Sequence, residues 1–323
     1  MALQVKNLKV YYQTLRGLVK ALDDVSFEIK DGEIMGLAGE SGCGKSTLNK
    51  SLILLKPPMK YISGQVILDD EELPVWDMSR MHSYRFKKLS TIPQYAMNGM
   101  NPTRKIGKMI AELLKSKNVN FHEILPELKR RLDLVELPHK VLDMYPIELS
   151  GGMKQRMVMV ISTLLNPSLL IADEITSALD VSTQKAVMKM LVEFKNQKIM
   201  KSVIIITHDI SILYQTADTI MIMYAGKIAE KAAAEVIIHS PRHPYTKLLI
   251  SSLPDIGIKH AEEKLKGIPG NPPQLLNPPL GCRFCDRCPV AMEKCSQEEP
   301  PLIEIEPNHI LACWKEMKEH AGS

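Results

Sequence analysis

No stretch of this 323-residue chain reaches the ~18 consecutive apolar residues that a membrane-spanning helix needs. Nor does Met1-Ala2-Leu3-Gln4-Val5-Lys6 show the basic-then-apolar pattern of a secretory leader. These absences predict a cytoplasmic protein, one still free to dock onto a membrane protein. Net charge is scarce too. The 41 basic and 37 acidic side chains leave +4, too little to argue for a nucleic-acid partner. There is no internal repeat, heptad run or low-complexity tract. Cysteine is missing between Cys43 and Cys282, after which Cys282, Cys285, Cys288, Cys295 and Cys313 crowd together. In a reducing compartment such a cluster reads as metal binding rather than disulfides. What remains, 45% hydrophobic and 24% charged residues, describes a globular chain long enough for two domains.

The most informative stretch present is Gly39-Glu40-Ser41-Gly42-Cys43-Gly44-Lys45-Ser46-Thr47. It fits G-x-x-x-x-G-K-[ST], a loop that cradles nucleotide phosphates. The apolar run Ile34 to Ala38 before it reads as a buried parallel strand, and Thr47 to Leu55 after it reads as a helix. Strand, glycine-rich turn and helix aim successive N–H groups and a helix N-terminus at one point, where phosphate oxygens belong. Lys45 is expected to reach the β- and γ-phosphates, and the Ser46 hydroxyl to ligate Mg²⁺. Cys43 reads as a small packed residue.

Short apolar runs recur at Gln65–Leu68, Leu169–Ala172, Val203–Thr207 and Ile220–Tyr224, alternating with helical patterns. That alternation implies a mostly parallel sheet covered by helices. Between about Asn101 and Leu165 strand signals stop, and Ile106–Lys115, Phe121–Val135 and Met153–Leu165 read as helices. Beyond Ala234 prolines multiply, from Pro241 to Pro289. So many predict an irregular, separate extension.

Leu169-Leu170-Ile171-Ala172-Asp173-Glu174 is an apolar strand ending in two carboxylates. Ligands of open parallel sheets bind beyond the carboxyl ends of strands. Asp173 is thereby expected near Mg²⁺, and Glu174 near the terminal phosphate as general base for the attacking water. Leu149-Ser150-Gly151-Gly152-Met153-Lys154-Gln155-Arg156 opens a second helix with Ser and two glycines, a second anion-binding terminus. One nucleotide needs one phosphate loop, so the second makes sense facing a nucleotide held by another subunit.

With these residues the chain resembles the nucleotide-binding subunit of an ATP-binding-cassette (ABC) transporter, and Leu149–Arg156 resembles that family's signature. The resemblance implies a RecA-like phosphate-loop NTPase fold. Its mostly parallel α/β sheet would carry a small antiparallel β part and an inserted helical subdomain at about 98–165. The ATPase domain would span 1–235, and the Cys-rich extension 236–323. It also implies roles for further residues. Gln94 would contact Mg²⁺ or the lytic water, His208 the γ-phosphate, and Tyr12 the adenine. Asp180, in Ser177-Ala178-Leu179-Asp180, would belong to a loop at the dimer interface. Pro241–Lys247, Ile268–Pro273 and Pro278–Cys282 resemble the oligopeptide and dipeptide importer branch. That branch implies a [4Fe–4S] cluster or a zinc ion on Cys282, Cys288, Cys295 and Cys313, with Cys285 a spare. It further implies a second ATPase subunit, identical or paralogous, two transmembrane permease subunits and, indirectly, a substrate-binding protein, all at the cytoplasmic face of the membrane. Nickel, glutathione or sugar oligomers are alternative cargoes. A soluble ABC ATPase of DNA repair or ribosome function is the alternative from another class.

Overall fold

The computed structural model describes residues 2–177, 180–252 and 267–321. Two long strands, β1 (Leu3–Thr14) and β2 (Gly17–Ile29), open the chain as a hairpin. β3 (Ile34–Ala38), buried throughout, runs into the phosphate loop and α1 (Lys45–Ile53). β4 (Met59–Leu68) returns against β1, and β5 (Glu71–Glu72) completes an antiparallel sheet in the order β2-β1-β4-β5. The predicted strand at Gln65–Leu68 is thus the end of β4, outside the parallel sheet. α2 (Met78–Tyr84) follows, with the Asp77 carboxylate accepting from Ser79 and Arg80 N–H. β6 (Leu89–Ile92) then enters the main sheet.

Three helices interrupt the strands, α3 (Ile106–Ser116), α4 (Phe121–Leu134) and α5 (Gly151–Thr163). Alternation resumes with β7 (Leu169–Asp173), α6 (Val181–Asn196), β8 (Ser202–Ile206), α7 (Ile210–Thr216) and β9 (Thr219–Tyr224). Strands β9-β3-β8-β7-β6 lie side by side and parallel. Every strand in this set is a short β-branched or Leu/Met run, as a sheet covered on both faces requires.

Strand alternation decides the two sides of the core. Ile34, Leu170, Ala172, Val203, Ile205, Ile220 and Ile222 pack toward the helices. Their neighbours Met35, Leu37, Leu169, Ile171, Ile204, Ile206, Met221 and Met223 pack toward α1 and the antiparallel sheet. A one-residue slip in any of these strands would exchange the two sets.

The C-terminal region departs from expectation. β10 (Lys227–Ala233) pairs antiparallel with β9 and leads into α8 (Ala234–His239) and α9 (Pro244–Ser251). After α10 (Glu293–Gln297), β11 (Ile303–Glu306) and β12 (His309–Leu311) form a hairpin, and α11 (Trp314–Ala321) follows. β12 pairs with β10, so the hairpin extends the main sheet, ordered β11-β12-β10-β9-β3-β8-β7-β6. Pro244 takes the first position of α9, where its missing N–H costs no helix hydrogen bond. Pro254 lies outside the described residues. Buried Glu230 of β10 fastens the junction. Its carboxylate accepts from Arg242 N–H at 2.8 Å, His243 N–H at 3.0 Å and the His309 ring at 2.8 Å. No helix among the described residues is long and apolar enough to cross a membrane.

Candidate active site

The phosphate loop needs its glycines at two positions in particular. Gly39 has φ 143°, and a Cβ there would stand 2.2 Å from the Met223 carbonyl oxygen. Gly44 has φ 114°, and its Cβ would meet the Ala21 carbonyl oxygen at 2.7 Å. Only a residue without a side chain fits such backbone. Gly44 is the N-cap of α1, which carries Lys45, Ser46 and Thr47 in its first turn. Lys45 Nζ lies back over the loop and donates to the carbonyls of Gly39 (2.6 Å) and Glu40 (3.0 Å). Cys43 is buried as expected, its Sγ 3.5 Å from Lys45 Nζ, and burial pushes its thiol pKa up. The Tyr12 hydroxyl lies 3.2 Å from Thr47 Oγ1, tying β1 to the head of α1.

β7 delivers the two carboxylates to the same end. Asp173 is 8% exposed, and its Oδ2 accepts from Asn49 Nδ2 at 2.8 Å. Burial raises its pKa, partly opposed by that hydrogen bond and by Lys50 and Lys45. A buried carboxylate with one oxygen restrained fits a divalent cation, whose charge would offset the desolvation. Glu174 follows in the left-handed region, φ 48°, held by its N–H to the Ile206 carbonyl at 2.8 Å. Such backbone is costly outside glycine and turns the side chain out of the strand direction.

Three residues named separately from the sequence meet here. Gln94 Nε2 donates to Glu174 Oε2 at 2.7 Å, and His208 Nδ1 lies 3.8 Å from Glu174 Oε1. Two contacts are not expected from the sequence. Ser177 Oγ donates to the Glu174 carbonyl at 2.8 Å, and Gln155 Nε2 donates to the Ile175 carbonyl at 3.0 Å. Gln155 lies in the signature segment, so α5 is fixed directly to the residue after Glu174.

The signature opens α5. Ser150 caps α5, its Oγ accepting from Met153 N–H at 3.3 Å. A Cβ at Gly151 or Gly152 would meet nothing within 4 Å. Among the described residues nothing therefore demands glycine at either place. Asp180 caps α6, accepting from Thr183 N–H at 3.0 Å and Thr183 Oγ1 at 2.7 Å. Hydrogen bonds from Ser182 and Thr183 hold its pKa below the ordinary carboxylate range. Ala178 and Leu179 lie outside the described residues.

Cys282, Cys285, Cys288, Cys295 and Cys313 line one small cavity of about 20 Å³ with His243, Pro244, Phe284, Val290, Trp314 and Lys315. All are free thiols. Burial and the neighbouring thiols push Cys282 up to about 12. Four sulfurs against apolar walls are a donor set suited to iron or zinc. As placed, however, no three His, Cys, Asp or Glu side chains among the described residues are grouped to hold a metal ion.

Comparison with known proteins places the chain in a family. Residues 22–177 match the ABC transporter family, and residues 229–295 match the family described as oligopeptide/dipeptide transporter, C-terminal region. The oligopeptide transport ATP-binding protein of Escherichia coli is 38% identical over 98% of this chain and 94% of its own length. The dipeptide transport ATP-binding protein of Caldanaerobacter subterraneus is 36% identical over 96% of both chains. Among solved structures, a dimeric bacterial ABC transporter cassette superposes with TM-score 0.62 at 25% identity, covering 72% of this chain and 98% of the cassette. A post-hydrolysis dimer of that cassette, bound to ADP and phosphate, superposes with TM-score 0.61 at 25% identity over 72% and 98% of the two chains. This chain belongs to the ABC transporter family as an ATP-hydrolysing subunit and carries the C-terminal region of its oligopeptide/dipeptide branch.

Proposed function

We propose that the chain powers import of dipeptides or oligopeptides as a peripheral subunit on the cytoplasmic face of a membrane. It would act with a second ATPase subunit, identical or paralogous, and two permease subunits fed by a substrate-binding protein. Residues 1–235 would form the ATPase unit, with the helical insert at about 98–165 facing the permease. Residues 236–323 would form an extension built onto its sheet.

The observation that carries the catalytic reading is the meeting of Gln94 and His208 on Glu174. Glu174 would accept the proton of the attacking water. His208 would stand by the γ-phosphate. Ser46, Asp173 and Gln94 would hold the Mg²⁺ that neutralises charge on the phosphates. The loop N–H groups of Gly39, Ser41, Gly42, Cys43, Gly44, Ser46 and Thr47 and the Lys45 ammonium would grip the phosphates. Tyr12 would stack on adenine. Ser150, Gly151, Gly152 and Asp180 would face the nucleotide of the partner subunit, which explains glycines that nothing among the described residues requires. ATP would thus close a dimer, and hydrolysis would reopen it.

Convergence of five thiols on one cavity supports a bound metal centre on Cys282, Cys288, Cys295 and Cys313, a [4Fe–4S] cluster in preference to zinc. Its chemistry would be structural, tying a segment with little apolar content to the sheet.

The transport reading is tested in proteoliposomes holding the chain with its cognate permease and binding protein. Peptide-loaded binding protein should stimulate ATP hydrolysis and drive labelled peptide inward. Stimulation by nickel, glutathione or sugar oligomers, with none by peptides, would overturn the cargo.

A further inference from the structure

Glu40, the second residue of the phosphate loop, is gripped from the C-terminal region. Arg287 Nη1 donates to Glu40 Oε2 at 2.7 Å and Nη2 to Oε1 at 2.9 Å, a bidentate pair across 247 residues of sequence. The Arg287 side chain is 4% exposed and Glu40 25%. The remaining donors of Arg287 are spent on fixing it in place. Nε goes to the Pro269 carbonyl at 2.7 Å, Nη2 also to the Ile268 carbonyl at 3.2 Å, and Nη1 also to the Tyr224 hydroxyl at 3.1 Å. The guanidinium lies 5.7 Å and 5.9 Å from the Tyr224 and Phe284 ring centres. A second contact reaches the same residue. Glu40 N–H donates to the Tyr245 hydroxyl of α9 at 2.9 Å. The Glu40 carbonyl, in turn, is one of the two on which Lys45 Nζ rests.

We propose that Arg287, with Tyr245, is a positioning residue for nucleotide binding. It clamps Glu40 from behind and so sets the shape of the phosphate loop and the resting place of Lys45. Arg287 sits in the turn between Cys285 and Cys288, so the cysteine-rich segment is mechanically continuous with the phosphate loop. A bidentate, buried guanidinium–carboxylate pair fixes direction as well as distance, which a lysine in the same place could not do. Because the Glu40 carboxylate pairs with Arg287 and, among the described residues, bonds to none of Glu174, Gln94 and His208, its loss should weaken binding and leave the hydrolytic residues around Glu174 as they are. The inference does not depend on a metal at the cysteines.

The test is a double-mutant cycle read as KM and kcat for ATP, with nucleotide affinity measured by equilibrium binding. Arg287→Met and Glu40→Gln should each raise KM and the ATP dissociation constant about tenfold while kcat stays within about twofold. The double variant should be no worse than either single, because the two side chains act as one pair. Arg287→Lys should recover part of the affinity, and Tyr245→Phe should give a smaller loss of the same kind. Should Arg287→Met fail to fold, Glu40→Gln alone decides, since among the described residues its partly exposed carboxylate bonds to Arg287 alone. Unchanged ATP affinity in Glu40→Gln, or single effects that multiply in the double variant, would overturn the proposal. A fall in kcat at unchanged affinity would overturn it as well.

Discussion

The Gln94 side-chain amide donates to Glu174 Oε2 at 2.7 Å, joining the segment after β6 to the segment after β7. Gln94 stands at the entrance to the helical insert, and Glu174 sits in left-handed backbone pinned to Ile206. The bond gives the segment leading into α3 a direct contact with the Glu174 carboxylate. His208 approaches the other oxygen of the same carboxylate. Glu174 is therefore bracketed at both carboxylate oxygens.

Replacing Glu174 by Gln should lower steady-state ATP turnover by about 10²–10⁴-fold, the usual range for loss of a general base. Equilibrium ATP binding should persist, since Lys45 and Asp173 are untouched, and an ATP-loaded dimer should accumulate. Phosphate release and size-exclusion chromatography with ATP check both halves. Turnover near the unmodified rate would remove Glu174 from its role.

The glycines of the two anion-binding segments should behave oppositely. Gly39→Ala forces a Cβ onto the Met223 carbonyl at a φ of 143°. It should cost about 1–3 kcal/mol of stability and abolish nucleotide binding. Gly151→Ala, in a helix with no neighbour for its Cβ, should leave stability unchanged or raise it by up to ~1 kcal/mol. Gly151→Arg in the Glu174→Gln background should block ATP-dependent dimerisation while the single chain still binds ATP. Thermal melts and cross-linking separate these outcomes.

The C-terminal junction should be acid-labile in two steps. Burial lowers the pKa of His243 to about 4 from its ordinary 6.5, so the folded chain holds this ring neutral. A depressed pKa means the unfolded chain binds the proton first. Stability is then full above about pH 6.5 and falls as pH drops toward about 4, by about 2–3 kcal/mol. For Glu230, burial alone would raise the pKa. The His309 ring and the N–H groups of Arg242 and His243 outweigh it and lower the value. Its contribution is present above the ordinary carboxylate range and is lost at still lower pH. Limited proteolysis from pH 7.5 to 4 should show the junction opening first, and His243→Gln should flatten the upper step.

Removal of metal gives the fourth prediction. Anaerobically purified protein should be brown, with broad absorption near ~400 nm and about four iron and four sulfide per chain. Ser at Cys282, Cys288, Cys295 or Cys313 should bleach it, whereas Cys285→Ser should not. One zinc and no iron would replace the cluster but keep the thiolate site. Neither metal would remove the site. The ATPase core should survive all five changes, and since Arg287 of the same segment holds Glu40 of the phosphate loop, ATP affinity in the same variants checks it.

The sequence by itself determined whatever is local. Gly39–Thr47, Leu169–Glu174 and Leu149–Arg156 carry their chemistry in residue type and spacing, because helix starts, tight turns and buried parallel strands each demand particular residues over a few positions. The helices of the insert and most parallel strands followed from periodicity. β1, β2 and β10 were harder, since strands with bulges blur the alternation that would reveal them, and β6, four residues with Ser90 and Thr91 inside, is too short to show a period. Tertiary structure alone decided the rest. Nothing in the sequence could say which acid Arg287 would choose among 37, or that β12 would find β10 across a proline-rich connection. Contacts between residues hundreds of positions apart leave no local period. They are fixed only when the fold has brought the phosphate loop after β3 beside the cysteine-rich segment, where Arg287 and Glu40 can pair.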